Sequence, residues 1–136
     1  MNFKITTGLL KLRIMQNKKT LVLGASETEW RYSHKAVHAL LNHQIPVVAV
    51  GKRQGKIKSV SIERDFPAFD ENIHTVTMYL NVQNQEQYRS DILKLKPQRV
   101  IFNPGSENAD FARELKNANL EVVNACTLVM LSVGNY

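Results

Sequence analysis

The feature that most restricts the fold is an apolar tetrapeptide, Thr20-Leu-Val-Leu23, running straight into Gly24-Ala25-Ser26. A second apolar run, Val47-Val-Ala-Val50, ends in Gly51-Lys52-Arg53. Between them lies a stretch, about residues 33–43, with Val37, Leu40 and Leu41 at the three- and four-residue spacing of a half-buried helix. Strand, small-residue turn, helix and strand make a β-α-β unit. Such a unit commits the chain to a parallel sheet, because parallel neighbours need a crossover rather than a tight hairpin.

The alternation continues to the C-terminus. A third strand is expected over 73–79. Asn84 with Gln87 reads as a capping box opening a helix whose face carries Tyr88, Ile92 and Leu95, closed by Pro97. Strand four, 99–102, runs into Asn103-Pro104-Gly105, and Ser106 is placed to cap a helix bearing Phe111, Leu115 and Ala118. Strand five is expected over 120–123, and Cys126–Val133 reads as a short buried helix. Residues 51–72 read as irregular and charged, anchored by Phe66, Pro67 and Phe69. Nearly continuous apolar strands between amphipathic helices predict an α/β, Rossmann-like, doubly wound parallel sheet of five strands in the order 3-2-1-4-5. Its ligand crevice is expected at the carboxyl ends of strands one and four.

A length of 136 residues bounds the chain to one domain, taken as 17–136 behind an N-terminal extension, 1–16. The extension mixes Phe3, Ile5, Leu9, Leu10, Leu12, Ile14 and Met15 with Lys4, Lys11 and Arg13, so it lacks the unbroken apolar stretch of a secretory signal. Two readings stand side by side: a strand or short helix covering an edge or partner surface, or a lead-in that leaves Met15 as the physiological start. No apolar run approaches the roughly 20 residues that cross a bilayer, so no membrane is expected. The single cysteine, Cys126, excludes an internal disulfide and fits a reducing, cytoplasmic setting. A net charge of +6 favours anionic partners: nucleic acid, anionic lipid or phosphorylated metabolites. Association into a homo-oligomer or with an unidentified protein partner is left open.

The charge placement is more informative than its sum. The turn Gly24-Ala25-Ser26 before a helix is suited to cradle a phosphate, since helix N-termini present unpaired N–H groups and a positive dipole end. Lacking the full G-x-G-x-x-G, it also reads as a plain strand-to-helix turn. Dinucleotide folds commonly carry Asp or Glu at the tip of strand two, to bond a ribose. Here Gly51, Lys52 and Arg53 follow Val50, then Lys56 and Lys58, with no carboxylate before Glu63. A ribose phosphate needs that positive charge, so coenzyme A and NADP fit better than NAD; the alternative is a solvated basic loop. Asn81, and Asn103 with Pro104 and Gly105, stand at strand ends where amides and close backbone approach suit a ligand, or simply a turn. Trp30 and Tyr32 either stack on an adenine or cover the helix start.

No catalytic set is evident. Cys126, Glu107 and Tyr79 are the only acid, base or nucleophile candidates near the crevice, and Cys126 reads first as core packing. His34 and His38 lie one helical turn apart and could pair on a metal, yet no third ligand is evident; solvated histidines and no metal are expected.

Val22-Leu-Gly-Ala-Ser26, Tyr32-Ser33, Pro46-Val-Val-Ala-Val50, Asn103-Pro-Gly105 and Asn124-Ala-Cys126 together make the chain resemble the small stand-alone CoA-binding proteins, whose fold is that of the CoA-binding domain of the succinyl-CoA synthetase α subunit. The resemblance spans about residue 20 to the end. It departs from the family where Gly51-Lys52 replaces an Asn-Pro and where Tyr79-Leu80-Asn81 lacks an arginine. What it implies is a CoA or acyl-CoA site: Gly24, Ala25, Ser26, Tyr32 and Ser33 at the pyrophosphate; Val50, Gly51, Lys52 and Arg53 at the adenosine phosphate; Asn81, Asn103, Pro104, Gly105 and Cys126 along the crevice. It supplies no active site. An NADP-dependent oxidoreductase or acyl-CoA-using enzyme is the alternative, and a nucleic-acid module using the 52–58 loop ranks last, since no aromatic surface accompanies those lysines.

Overall fold

The computed structural model describes the backbone of residues 3–136 and the side chains of residues 8–136. Its order is α1 (Phe3–Gln16), β1 (Thr20–Leu23), α2 (Tyr32–Asn42), β2 (Val47–Val50), β3 (Gly55–Ile57), β4 (Val60–Glu63), β5 (Thr75–Met78), α3 (Val82–Leu95), β6 (Arg99–Phe102), α4 (Ala109–Asn117), β7 (Glu121–Asn124) and α5 (Thr127–Val133). The seven strands form one mixed sheet, β3-β4-β2-β1-β5-β6-β7, parallel except for the antiparallel β3–β4 pair.

Period-two alternation sends the strands' side chains to two cores. Leu21, Leu23, Val76, Met78, Val100 and Phe102 pack under α3 and α4, through Ile92, Leu95, Phe111 and Leu115. Val22, Ala49, Ile62 and Ile101 pack on the other face, under Val37 and Leu40 of α2 and Met130 and Leu131 of α5. Helices therefore cover both faces, as a buried parallel sheet requires.

Two expectations are corrected. The charged 51–72 segment contains the hairpin β3–β4, turning through Lys58 at φ 51. Ile57, Val60 and Ile62 are buried while Lys56, Ser61 and Glu63 are exposed, and such an edge pair reads as a polar loop because half its side chains face water. The strand order is corrected with it. β4 pairs with β2 in the place expected for the 73–79 strand, which instead, as β5, lies beside β1. Numbered in chain order, the six parallel strands run 3-2-1-4-5-6, so the chain reverses direction across the sheet between β1 and β5, not between strands one and four as first numbered.

Local chemistry also moves two caps. Asn81, not Asn84, caps α3 by accepting the Asn84 N–H at 2.9 Å, and Asn108, not Ser106, caps α4 by accepting the Phe111 N–H at 3.1 Å. The β4–β5 connection covers its face without a helix: Phe66 packs on the core and stacks on Tyr88 at 6.2 Å, whereas Phe69 remains exposed. In α1, Leu9, Leu10, Leu12 and Ile14 are exposed and Met15 packs partly against the α2/α5 face; the side chains of Phe3 and Ile5 lie outside the described residues. No described helix is long and apolar enough to cross a membrane.

Candidate functional site

The carboxyl ends of β1, β2, β5 and β6 open into a cleft of about 800 Å³. One wall is the turn after β1. Gly24 sits at φ +99, and a Cβ there would meet the Tyr79 backbone at 3.2 Å. Both Gly24 and Ala25 donate their N–H groups to the Val50 carbonyl, at 2.9 and 3.0 Å, which ties the turn to the tip of β2. Gly51 is needed there for close approach: a Cβ would stand 2.2 Å from the Ala25 carbonyl oxygen. Gly51 and Val50 are thus buried beneath the turn and hold its shape. The expectation that the Gly24–Ser26 amides stand ready for a phosphate is corrected in part, since two of the three are already bonded. The N–H groups of Ser26 and Glu27 take no partner among the described residues.

Positive charge enters from two loops. Lys52 and Arg53 line the cleft after β2, and Arg31 lines it from the start of α2. All three are exposed. Arg31 is itself the N-cap of α2 and makes no side-chain cap bond, so the first N–H groups of that helix are uncapped beside the cleft. Glu27 is the one carboxylate among the lining residues, and it accepts the Lys56 N–H at 3.0 Å, pinning the β3–β4 hairpin to the first loop. Lys56 and Lys58 belong to that hairpin and do not line the cleft.

The floor is a buried polar network. Asn103 donates to Thr77 Oγ1 at 2.7 Å and to the Met78 carbonyl at 3.0 Å, and accepts the Thr127 N–H at 2.8 Å. Ser106 Oγ donates to the Asn103 carbonyl, and Gln85, fully buried, donates to the Leu80 and Ser106 carbonyls at 2.8 and 2.7 Å. With its hydrogen bonds satisfied internally, this network positions the tips of β5 and β6. Asn103 is therefore beneath the cleft, while Asn81, Pro104 and Gly105 line it. The Gly105 N–H is taken by the Glu107 carboxylate at 2.6 Å.

Of the other expected residues, Ser33 is buried in α2 and Tyr32 is exposed outside the lining, its ring beside the Lys35 ammonium at 5.3 Å. Cys126 is half-buried at the N-cap of α5, also outside the lining. Trp30 is exposed, with the Arg31 guanidinium over its ring at 5.2 Å. Glu27, Thr28, Arg31 and Gln54 line the cleft without having been singled out, and Asn84 and Ser106, expected only as helix caps, line it too. Arg31 could have been found: it stands where a helix start wants Ser, Thr or Asp. Tyr79 lines the cleft with its hydroxyl buried and without a partner among the described residues, and burial pushes the phenol well above its usual range.

The histidines are also corrected. His34 is buried, its Nδ1 2.9 Å from the Ser26 carbonyl, and only His38 beside it is partly exposed.

Against known proteins, residues 18–132 match the model of a family described as a CoA binding domain. No curated protein matches the chain. Among solved structures, an uncharacterized protein known from its crystal structure is 43% identical, with a TM-score of 0.84 over 88% of this chain and 98% of that one. A Thermus thermophilus protein is 20% identical, with a TM-score of 0.79 over the whole of both chains. A hypothetical protein from Pyrococcus horikoshii OT3 is 19% identical, with a TM-score of 0.78 over 90% of this chain and 88% of that one. The last two share the fold.

Proposed function

The chain belongs to the CoA-binding domain family, and on that premise we propose that the cleft binds coenzyme A or an acyl-CoA and performs no chemistry on it. The observation that carries this reading is the charge on the rim. Three exposed cations, Arg31, Lys52 and Arg53, face a cleft whose single carboxylate is tied down by the hairpin. Such a rim suits a ligand with a ribose phosphate and a pyrophosphate. The uncapped start of α2 and the Ser26 and Glu27 N–H groups would meet further phosphate oxygens, with Gly24 and Gly51 shaping the turn. The same cations suit NADP; family membership favours CoA.

The six parallel strands in the order 3-2-1-4-5-6 support a Rossmann-like ancestry for the crevice, at the switch between β1 and β5. The reading of binding without catalysis rests on the three groups that could act. Tyr79 is held neutral by burial, Glu107 is engaged by the Gly105 N–H, and Cys126 lies outside the cleft lining. A reducing, cytoplasmic setting suits that single thiol.

Calorimetric titration with CoA, 3′-dephospho-CoA, NADP and NAD tests the proposal. Micromolar CoA binding, weakened about tenfold by loss of the 3′-phosphate, is the expected outcome, being what one charge-assisted contact is worth. Equal affinity for CoA and dephospho-CoA would remove Lys52 and Arg53 from the assignment, and silence toward all four would overturn the reading.

A further inference from the structure

On the α2 face, a shallow hollow that shares no lining residue with the cleft is lined by Glu29, His34, Lys35, His38, Ala39 and Asn42. We propose that His34 and His38 form a two-histidine site for a zinc-class divalent cation, distinct from the nucleotide cleft and joined to its first turn through the Ser26 carbonyl.

The spacing comes first. His34-Lys-Ala-Val-His38 puts two imidazoles on one face of α2, the i, i+4 arrangement by which helical histidine pairs hold zinc. The two Nε2 atoms stand 3.1 Å apart, and the rings are tilted by 42°. Nitrogens each about 2.05 Å from one zinc stand about 2.9 Å apart at a right angle and about 3.3 Å apart at the tetrahedral angle. The observed separation falls between those limits, the spacing that two nitrogens on one ion require.

Protonation supports the same assignment. The Ser26 carbonyl can only accept, so the His34 Nδ1, 2.9 Å away, carries the proton. That leaves the His34 Nε2 as a lone pair aimed at His38, and orients the ring as a ligand histidine is oriented by a backbone carbonyl on its other nitrogen. In the metal-free protein the His38 Nε2 must donate to it. A cation takes the place of that bridging proton, and His38 then carries its proton on Nδ1. Glu29 supplies negative charge on the same hollow, against Lys35 and Lys58. Among the described residues no three His, Cys, Asp or Glu side chains converge, so water completes the coordination and the ion is exchangeable.

The test is zinc titration of the full chain at pH 7.5 by calorimetry against a competing chelator, without nucleotide. One equivalent is expected to bind. His38→Gln keeps an N–H donor toward His34, and therefore the helix, while removing one ligand. Its zinc affinity should fall at least about tenfold, the low end of what losing even a partner of a metal ligand costs. His43→Ala, at the exposed end of α2, should bind zinc like the wild type. Wild-type protein that takes up no zinc, or His38→Gln that binds it equally well, would overturn the proposal.

Discussion

The two ends of the sheet both carry arginine and lysine, and they use them in opposite ways. At the carboxyl ends, Arg31, Lys52 and Arg53 are exposed around an open cleft. At the amino ends, Arg99 is buried at the start of β6, its guanidinium 4.4 Å from the Tyr136 ring and its Nε donating to Thr75 Oγ1 at 3.1 Å. Lys18 donates to the Tyr136 carbonyl, and the Tyr136 hydroxyl bonds Thr20, whose own proton goes to the Lys18 carbonyl at 2.8 Å. One Arg99 Nη has no partner among the described residues. The difference teaches that cationic composition alone does not mark a binding end: a cation whose stem and charge are absorbed by packing and ring stacking works as a strut, whereas one left in water can recruit an anion.

The strongest way to break this contrast is to truncate the strut. Arg99→Ala leaves a cavity under Tyr136 and removes the guanidinium's hydrogen bond to Thr75, and should lower unfolding stability by about 3 kcal/mol, in the range for large-to-small changes in a core. Arg99→Met fills most of that volume without a charge to desolvate, and should lose no more than about 1.5 kcal/mol. Chemical denaturation of the two variants measures both, and CoA affinity should be unchanged in whichever variant is folded. If Arg99→Ala denatured like the wild type while CoA binding fell, the amino-end cluster would be a functional site rather than a support.

At the other end the expected effects are reversed. Lys52→Ala with Arg53→Ala should leave stability within about 0.5 kcal/mol, as exposed substitutions do. CoA affinity should fall about tenfold, or about 1.4 kcal/mol, because two unshielded charges facing a phosphate are lost. Calorimetry and denaturation on the same preparation separate the two numbers. A stability loss with unchanged affinity would erase the contrast between the ends.

That contrast was only half readable in the sequence. The β1, β2 and β6 strands and the helices between them were legible because strands buried on both faces are apolar runs, and Arg99–Phe102 was placed to the residue. The β3–β4 hairpin was not, since Lys56, Ser61 and Glu63 face water and leave only three buried positions to show its period. Missing that hairpin displaced β5 and with it the strand order. In the site, Gly24, Ser26, Lys52, Arg53 and Gly105 were legible as turn and rim chemistry at strand ends. Asn103 was expected in the crevice and lies beneath it, because an asparagine at a strand end satisfies neighbouring backbone as readily as a ligand. Arg99 gave no signal of its burial: only the tertiary position of Tyr136, 37 residues on, encloses it.

The smallest effect tests the amino end by pH. His74 lies just before β5, its Nδ1 2.7 Å from Thr75 Oγ1. Burial first, then the charges of Arg99 and Lys18, lower its pKa in the folded chain against a weaker opposing pull from Glu121. The unfolded chain takes up that proton near the ordinary histidine value of about 6.5, and the folded chain only at lower pH. Between those two values the unfolded state holds more protons, so folding stability rises with pH there; the contribution is full above about 6.5 and is lost as pH falls. Wild-type protein should therefore lose stability between pH 7 and 5 more steeply than His74→Gln, with unfolding followed in denaturant at each pH. His38 shares the same direction, for burial and for His34 and Lys58, so part of the slope should survive in the variant. Alkaline pH is less diagnostic, because burial lowers the Lys18 pKa and raises that of Tyr136, and the two act on stability with opposite signs. Identical acid slopes in wild type and His74→Gln would mean that neither burial nor the amino-end cations hold His74 neutral in the folded chain.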